Sequence, residues 1–560
     1  MAEKGSDRYQ STMFFAIVAL VLVFGALLYL SDQFSLLYYG DSAYHLSAAR
    51  KLFDWVNPGF AQIGRVWLPL PHILFMFPSI SDLLFYSGFA GLVINCPALA
   101  LTTVFLYKIL LATGKCDPRL AIAVALIYPL NPNILYLAVT AMTEVTFMLF
   151  FVASAFYLQK WIRFYKSSSI FACSALVAAA TLCRYEAWPL AIFVLSFALI
   201  ALFKKRLRWT NALSAAALSI FGILLWLGWN MYSFGNPLDF ATAEYYSPAS
   251  AATERPVRST LFLQPLNVLG IYGITAAVVF GPILLWAGAR GFIAQFRKQF
   301  LWYLALPAVF TPLSMLGGIG EMSIWFNSRF IVFLAPVLMV SSFRYLHGLT
   351  SKVRFATVML ILVHILLVIP FLHSFTYFDN ISKSGLMPIP LSLNLGVSNF
   401  NLDQQGIVTV NEPSRYEYQY QIPKDVPLIG VVTLIDSLFS FNYPDNLSAI
   451  KTGEFLKSNY DNGRIMTMAG SGQGQMIMIT SWINFSQYDE MTETGMAKDS
   501  FDEPWAYDKW LVIAKNPEWN ALKVYQYWRE NRALLDERYH PVFENEHYQI
   551  LKLKAERLSD

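Results

Sequence analysis

The sequence predicts an α-helical polytopic membrane protein of about 11 transmembrane helices followed by a C-terminal soluble α/β domain. Three observations lead there. Of the 560 residues, 56% are hydrophobic and 14% charged, against about 25% charged in ordinary soluble domains. The apolar residues gather in eleven runs near the roughly 20 residues that cross a bilayer core. Beyond residue 373 no such run recurs, and Asp, Asn, Gln, Glu and Tyr become frequent. The chain therefore divides into a membrane part, residues 1–373, and an outer part, residues 374–560.

The eleven runs cover about residues 12–30, 83–107, 120–138, 143–159, 169–182, 187–203, 211–230, 265–287, 300–316, 328–346 and 355–373. The first has no small-residue cleavage site behind a short apolar core and is expected to be retained as a helix. Lys and Arg set the orientation, because short cytoplasmic loops hold their excess. With the N-terminus cytoplasmic, Lys108, Lys115 and Arg119, then Lys160, Arg163 and Lys166, then Lys204, Lys205, Arg206 and Arg208, then Arg290, Arg297 and Lys298, then Arg344, Lys352 and Arg354 all lie inside. The C-terminal domain then lies outside the cytoplasm. Between residues 10 and 373 only one acid, Asp117, is placed inside. Chemistry that uses carboxylates belongs to the outer face.

The long first outer loop, residues 31–82, is expected to carry interfacial helices. Leu46, Ala49, Leu52, Phe53 and Val56 fall on one helical face over residues 42–56, which end at Asn57-Pro58-Gly59. In the outer domain, strands are expected at 406–410, 464–468, 510–514 and 548–553, and helices at 448–458 and 521–530. The four cysteines all fall in the membrane half, so no disulfide framework or zinc-type spacing supports the outer domain. Asn380, Asn446 and Asn484 open Asn-x-Ser sequons there. Net charge is +4 and no Lys/Arg block or aromatic-basic platform exists, which argues against a nucleic-acid partner.

Asp41, in Tyr39-Gly40-Asp41-Ser42-Ala43-Tyr44-His45, is the leading candidate for chemistry. A carboxylate before a helix is a favoured N-cap, and the same position suits a general base or metal ligand facing a lipid headgroup. Glu144 opens the fourth run, where the helix dipole favours an acid and membrane depth demands a partner. Arg184 and Glu186 lie before the sixth run and Arg329 at the start of the tenth. These cations either form structural pairs or hold a phosphate, for which a planar guanidinium is suited. His45 shares the helix face of Asp41; with Asp41 and Glu144 it would be a ligand of a divalent cation, Mg or Mn, were one bound. A hydrogen-bonded histidine is the plainer reading, and the same ambiguity attends His72.

Taken in order, these motifs resemble the GT-C superfamily of membrane glycosyltransferases, in the branch similar to protein O-mannosyltransferases and the aminoarabinose transferase of lipid A. The resemblance rests on the acidic first loop from Asp41 to Trp67 and on Thr143-Glu144. It continues with Arg184-Tyr185-Glu186, Phe234-Gly235-Asn236-Pro237-Leu238, and Arg329-Phe330 ahead of Leu334-Ala335-Pro336. It covers the membrane half, with the outer domain as the variable C-terminal domain of such enzymes. Members often pair acids in the first loop, whereas Ser42 follows Asp41 here. No Trp-Trp-Asp-Tyr-Gly run occurs, which disfavours an oligosaccharyltransferase acting on Asn.

The resemblance implies a hexosyl- or pentosyltransferase in a cell membrane, with a polyprenyl-phosphate sugar as donor and a glycan, lipid or protein hydroxyl as acceptor. Asp41 would deprotonate the acceptor in one inverting displacement, and Glu144 would orient hydroxyls or share a cation. Arg184 and Arg329 would bind the leaving phosphate, with Glu186, His45 and Arg65 lining the substrate site. Tyr245, Arg255 and Arg258 would gate the groove from the loop after Pro237. The competing class is a polytopic transporter or lipid-linked-sugar flippase. A carrier needs ionisable groups near the midplane, and here the runs hold few beyond His364 and Lys108.

Overall fold

The computed structural model describes residues 2–37, 40–113, 117–242, 265–316, 328–368, 400–402, 407–411, 417–421, 443–467, 472–490, 504–515 and 532–554. The membrane part runs α1 (Ala2–Ser31), α2 (Gly40–Lys51), α3 (Pro69–Ser79), α4 (Asp82–Tyr86), α5 (Phe89–Ala112), α6 (Pro118–Leu130), α7 (Pro132–Val139), α8 (Thr143–Phe164) and α9 (Ser167–Thr181). It continues through α10 (Trp188–Phe203), α11 (Trp209–Phe234), α12 (Asp239–Thr242), α13 (Pro265–Phe280), α14 (Pro282–Ile293), α15 (Gln299–Leu316), α16 (Ala335–His347) and α17 (Ser351–Val368).

Among the described residues, six helices are long and apolar enough to cross a membrane, or seven if a bent pair counts as one. They fall on six of the eleven expected runs. The run at 120–138 is the bent pair, α6 and α7, turned by 60°. Asn131 makes the bend: its side chain caps α7 by accepting from the amides of Asn133 and Ile134, and Pro132 occupies the first turn. The remaining four runs are also helical: one is a shorter helix, one is divided in two, and two lie on α15 and α17. Helix α9 has 15 residues. The run at 265–287 is cut at Gly281, whose φ of 83° favours glycine, with Pro282 starting α14. Helix α15 carries Pro307 and Pro312, and α17 opens on the charged turn Ser351-Lys352-Val353-Arg354. The apolar pattern locates helices well, but cannot see where a proline or a cap interrupts one.

One core joins these helices: α5 packs on α1, α6 and α8, α8 on α9, and α11 on both α9 and α10, while α14 packs on α16. The C-terminal part holds two sheets among the described residues. β1 (Phe400–Leu402), β2 (Ile407–Asn411) and β3 (Glu417–Gln421) form an antiparallel sheet. After α18 (Tyr443–Asn459) come β4 (Arg464–Thr467), α19 (Gly472–Thr480), β5 (Tyr488–Glu490), α20 (Pro504–Tyr507), β6 (Asp508–Ala514), α21 (Arg532–Arg538), β7 (Tyr539–Glu544) and β8 (Tyr548–Leu553). Strands β5-β4-β6-β8-β7 make the larger sheet, in which β4 runs parallel to β5 and β6, and β8 antiparallel to β6 and β7. The expected strands lie on or beside β2, β4, β6 and β8. The expected helix at 521–530 lies outside the described residues.

The first outer loop and the C-terminal part share a core. Ala43, Leu46 and Ala49 of α2 and Phe85 of α4 are buried in one cluster with Ile477 and Met478 of α19 and Phe485. Of the face expected on the membrane surface, Leu46 and Ala49 are thus covered by protein, whereas Phe53 and Val56 lie beyond the end of α2 and are exposed. The contact is also polar: the Tyr86 hydroxyl donates to the Ile483 carbonyl at 2.9 Å, and the Ser486 amide donates to Asp54 at 3.2 Å. Buried Arg50 closes the loop on itself, donating to Asp54, the Ser79 carbonyl and Asp82, each at 2.7 Å.

Candidate active site

The site is assembled from the start of α8 outward. On α5, Gly91 and Asn95 lie one turn apart beneath the segment that leads into α8. A Cβ at Gly91 would stand 2.4 Å from the Ala141 nitrogen, so only glycine lets the two backbones meet. Asn95 donates to the carbonyls of Thr140 and Met142, both at 2.8 Å, and accepts from the Thr146 hydroxyl at 2.8 Å. Ser42 adds the first loop to this frame, accepting from the Ala141 amide at 2.9 Å. Ser42, which follows Asp41 where family members often have a second acid, fastens α2 to the entrance of α8.

That frame presents Glu144 in the first turn of α8 with no solvent exposure. Arg184, just before the short 3-10 turn Tyr185–Ala187, donates to Thr143 at 2.8 Å and Glu144 at 2.9 Å, and reaches Glu186 at 2.8 and 3.1 Å. Arg329, in the 3-10 turn Ser328–Leu334, pairs with Asp41 and stands 3.6 Å from the same Glu144 oxygen. Both guanidinium groups lie near the Phe330 ring, at 5.6 Å for Arg184 and 4.7 Å for Arg329. The second Glu144 oxygen, Oε2, is buried and accepts no hydrogen bond among the described residues. Asp41 sits in the first turn of α2 rather than before it, and its side chain is 36% exposed. The structure therefore gathers Asp41, Glu144, Arg184, Glu186 and Arg329, residues up to 288 positions apart, into one ionic cluster.

His45 follows Asp41 by one turn. Its Nδ1 is 2.9 Å from Nε2 of His72, whose Nδ1 is 3.0 Å from the Leu68 carbonyl. Trp67 lies against His45 with ring centres 4.0 Å apart. Burial, helped by His72 and the charges of Arg329 and Arg184, holds the His45 pKa well below its ordinary value. Arg65 is drawn elsewhere: it pairs with Asp239 at 3.3 Å and lies over Phe234, tying the first loop to the end of α11. Tyr245, Arg255 and Arg258 lie outside the described residues.

A divalent cation, if bound, would fall to Asp41, Glu144 and His45. Among the described residues no group of three His, Cys, Asp or Glu side chains could hold one. Asp41 and Glu144 already share Arg329.

No protein-family model and no curated protein sequence matches the chain. Solved structures do. ArnT from Cupriavidus metallidurans in the apo state matches with a TM-score of 0.54 at 11% identity, over 98% of this chain and 98% of that one. The same protein bound to undecaprenyl phosphate matches with a TM-score of 0.54 at 10% identity, over 96% and 98%. The chain has an ArnT-like fold. The chain is a multi-pass membrane protein of the kind the ordered motifs suggested, with six or seven of the eleven expected spans meeting the length and hydropathy test among the described residues. The apo oligosaccharyltransferase of Archaeoglobus fulgidus aligns more loosely, with a TM-score of 0.42 at 11% identity over 90% of this chain and 69% of that one.

Within this fold, sequence reasoning overlooked the supports. Asn95 left a signal, a lone amide inside an apolar run, which at membrane depth must be hydrogen-bonded. Trp67 and Asp239 left little: their partners are 22 and 174 residues away in sequence, and no local pattern announces such pairings.

Proposed function

We propose that the chain is an integral-membrane glycosyltransferase that moves a hexosyl or pentosyl group from a polyprenyl-phosphate donor to a hydroxyl of a glycan, lipid or protein acceptor. The reaction takes place on the extracytoplasmic face, with the N-terminus cytoplasmic, and inverts the anomeric centre. The observation that carries this reading is the cluster itself, in which a partly exposed carboxylate, Asp41, is paired to a buried guanidinium, Arg329. The ArnT-like fold supports it.

In the proposed reaction the acceptor hydroxyl gives its proton to Asp41 as its oxygen bonds to the anomeric carbon. The bond from that carbon to the phosphate oxygen breaks, and its electron pair leaves with the lipid phosphate. Arg329 stabilises the charge that develops there; one preorganised donor of this kind is worth about 10²–10³ in rate. In the resting state Arg329 is held by Asp41 and Glu144. A phosphate that draws Arg329 away would therefore also release the base. Most N–H groups of Arg184 are engaged by Thr143, Glu144 and Glu186, so it contributes charge and holds Glu144 in place. Glu144 Oε2 remains to accept from a substrate hydroxyl. No step is assigned to a metal.

The test is turnover by purified protein in lipid with a panel of polyprenyl-phosphate sugars and candidate hydroxyl acceptors, followed by mass spectrometry. Loss of one donor by wild type but not by Asp41→Asn supports the transferase and names its sugar. Movement of an intact lipid-linked sugar across a vesicle, without cleavage, would replace it with the flippase.

A further inference from the structure

The proton positions of the His45–His72 pair follow from its far end. The Leu68 carbonyl oxygen only accepts, so His72 Nδ1, at 3.0 Å, carries the proton of that contact. Burial lowers the His72 pKa to about 4, and the ring is neutral at physiological pH. Its Nε2 is then a bare lone pair. His45 Nδ1, 2.9 Å away, must be the donor to it. A neutral His45 with its only ring proton on Nδ1 presents Nε2 as an acceptor, and that Nε2 has no hydrogen-bond partner among the described residues. Trp67 holds the pair in place, its centre 4.0 Å from the His45 ring and stacked within 11° of parallel with His72 at 5.9 Å. A flip of either ring would break the hydrogen bond between them.

We propose that His72 is a positioning residue that keeps His45 protonated on Nδ1, so that His45 Nε2 forms a hydroxyl-recognition subsite one helical turn from Asp41. The ligand class is a group with a hydrogen to donate, a sugar or acceptor hydroxyl; naming a sugar rests on the transferase reading, whereas the proton arrangement does not. Second contacts commonly set which histidine nitrogen is available in this way. The subsite selects because an acceptor left without its donor is costly. Sites built to bind a hydroxyl reject the analogue lacking it by up to about 10⁴–10⁵.

The deciding experiment is nitrogen-15 NMR of histidine-labelled protein in lipid, with the His45 signal assigned by its loss in His45→Gln. Wild type is expected to show His45 Nε2 unprotonated between pH 6 and 8. His72→Phe removes the acceptor and should give a tautomer mixture. His72→Gln restores it, since the side-chain oxygen accepts from His45 while the amide donates to Leu68, and should keep the wild-type form. A proton on His45 Nε2 in wild type, or a tautomer indifferent to His72→Phe in folded protein, overturns the proposal without touching the transferase reading. In turnover, His72→Phe should lower kcat/KM about five- to tenfold, the worth of one hydrogen bond, with His72→Gln near wild type. Deoxy donors and deoxy acceptors, tested separately, should include one analogue that wild type rejects and His45→Phe does not; if none does, the subsite binds no hydroxyl.

Discussion

Replacing Arg184 by Gln removes the centre of the buried ionic cluster, and the structure sets the size of the effect. Four polar contacts go: one to Thr143, one to Glu144 and two to Glu186. Glu144 keeps Arg329 at 3.6 Å, so its loss is partial. Glu186, whose side chain is 2% exposed, has no other salt-bridge partner among the described residues. Removing one partner of a buried ion pair costs about 3–5 kcal/mol because the remaining charge is stranded, and most of that here belongs to Glu186. Thermal unfolding in lipid or detergent, read by intrinsic fluorescence, should show a large fall for Arg184→Gln. Arg184→Gln with Glu186→Gln should regain more than half of it, because no charge then remains at 186. A double variant as unstable as the single, or a single as stable as wild type, would refute the reasoning.

Three further outcomes follow from the same structure. Asp41→Asn should unfold near the wild-type temperature, since the side chain is partly exposed, yet lose about 10²–10⁴ in turnover, the usual worth of a general base. Gly91→Val should lower the unfolding temperature by an overpacking cost of about 1–3 kcal/mol or more, as its Cβ would meet the Ala141 backbone at 2.4 Å. In the larger sheet, burial and then the neighbouring Asp489 raise the Asp508 pKa to about 8. The folded state thus holds a proton that the unfolded chain releases near pH 4, so stability should decline as pH rises from about 4 to 8. Unfolding temperatures measured across that window should fall less steeply in Asp508→Asn.

What was legible in the sequence had a period or an end. Apolar runs marked the helices. Asp41, Glu144, Arg184 and Arg329 were legible because each follows or precedes an apolar run, where a charge stands out. Their mutual pairing was not, since Asp41 and Arg329 meet across 288 residues through packing alone. The bend at Asn131 was hidden by the apolar residues on both sides of it, although Asn131-Pro132 is itself a cap followed by a first-turn proline. The covering of α2 was hidden for another reason: one apolar helical face looks the same whether lipid or α19 buries it.

The charge balance of the site bears on whether a divalent cation is needed. Two guanidinium groups against three carboxylates leave a formal charge of −1 in a buried cluster, which on its own would repel a lipid phosphate. Asp41 and Glu144 lie in the first turns of α2 and α8, while Arg184 and Arg329 precede or begin the turns that lead into α10 and α16. Each helix N-terminus adds a partial positive charge of about +0.5, so the turns that carry the charges also offset the imbalance. Arg329 pairs with Asp41 and lies 3.6 Å from Glu144, so it already supplies positive charge to both carboxylates that would hold a cation. Turnover is therefore expected to survive dialysis against a chelator and to fall in Arg329→Lys, whose point charge cannot span two carboxylates and a phosphate. If chelation abolishes turnover and Mg or Mn restores it, Arg329 must give way to the metal in the working enzyme, and the pairing described above is a resting state only.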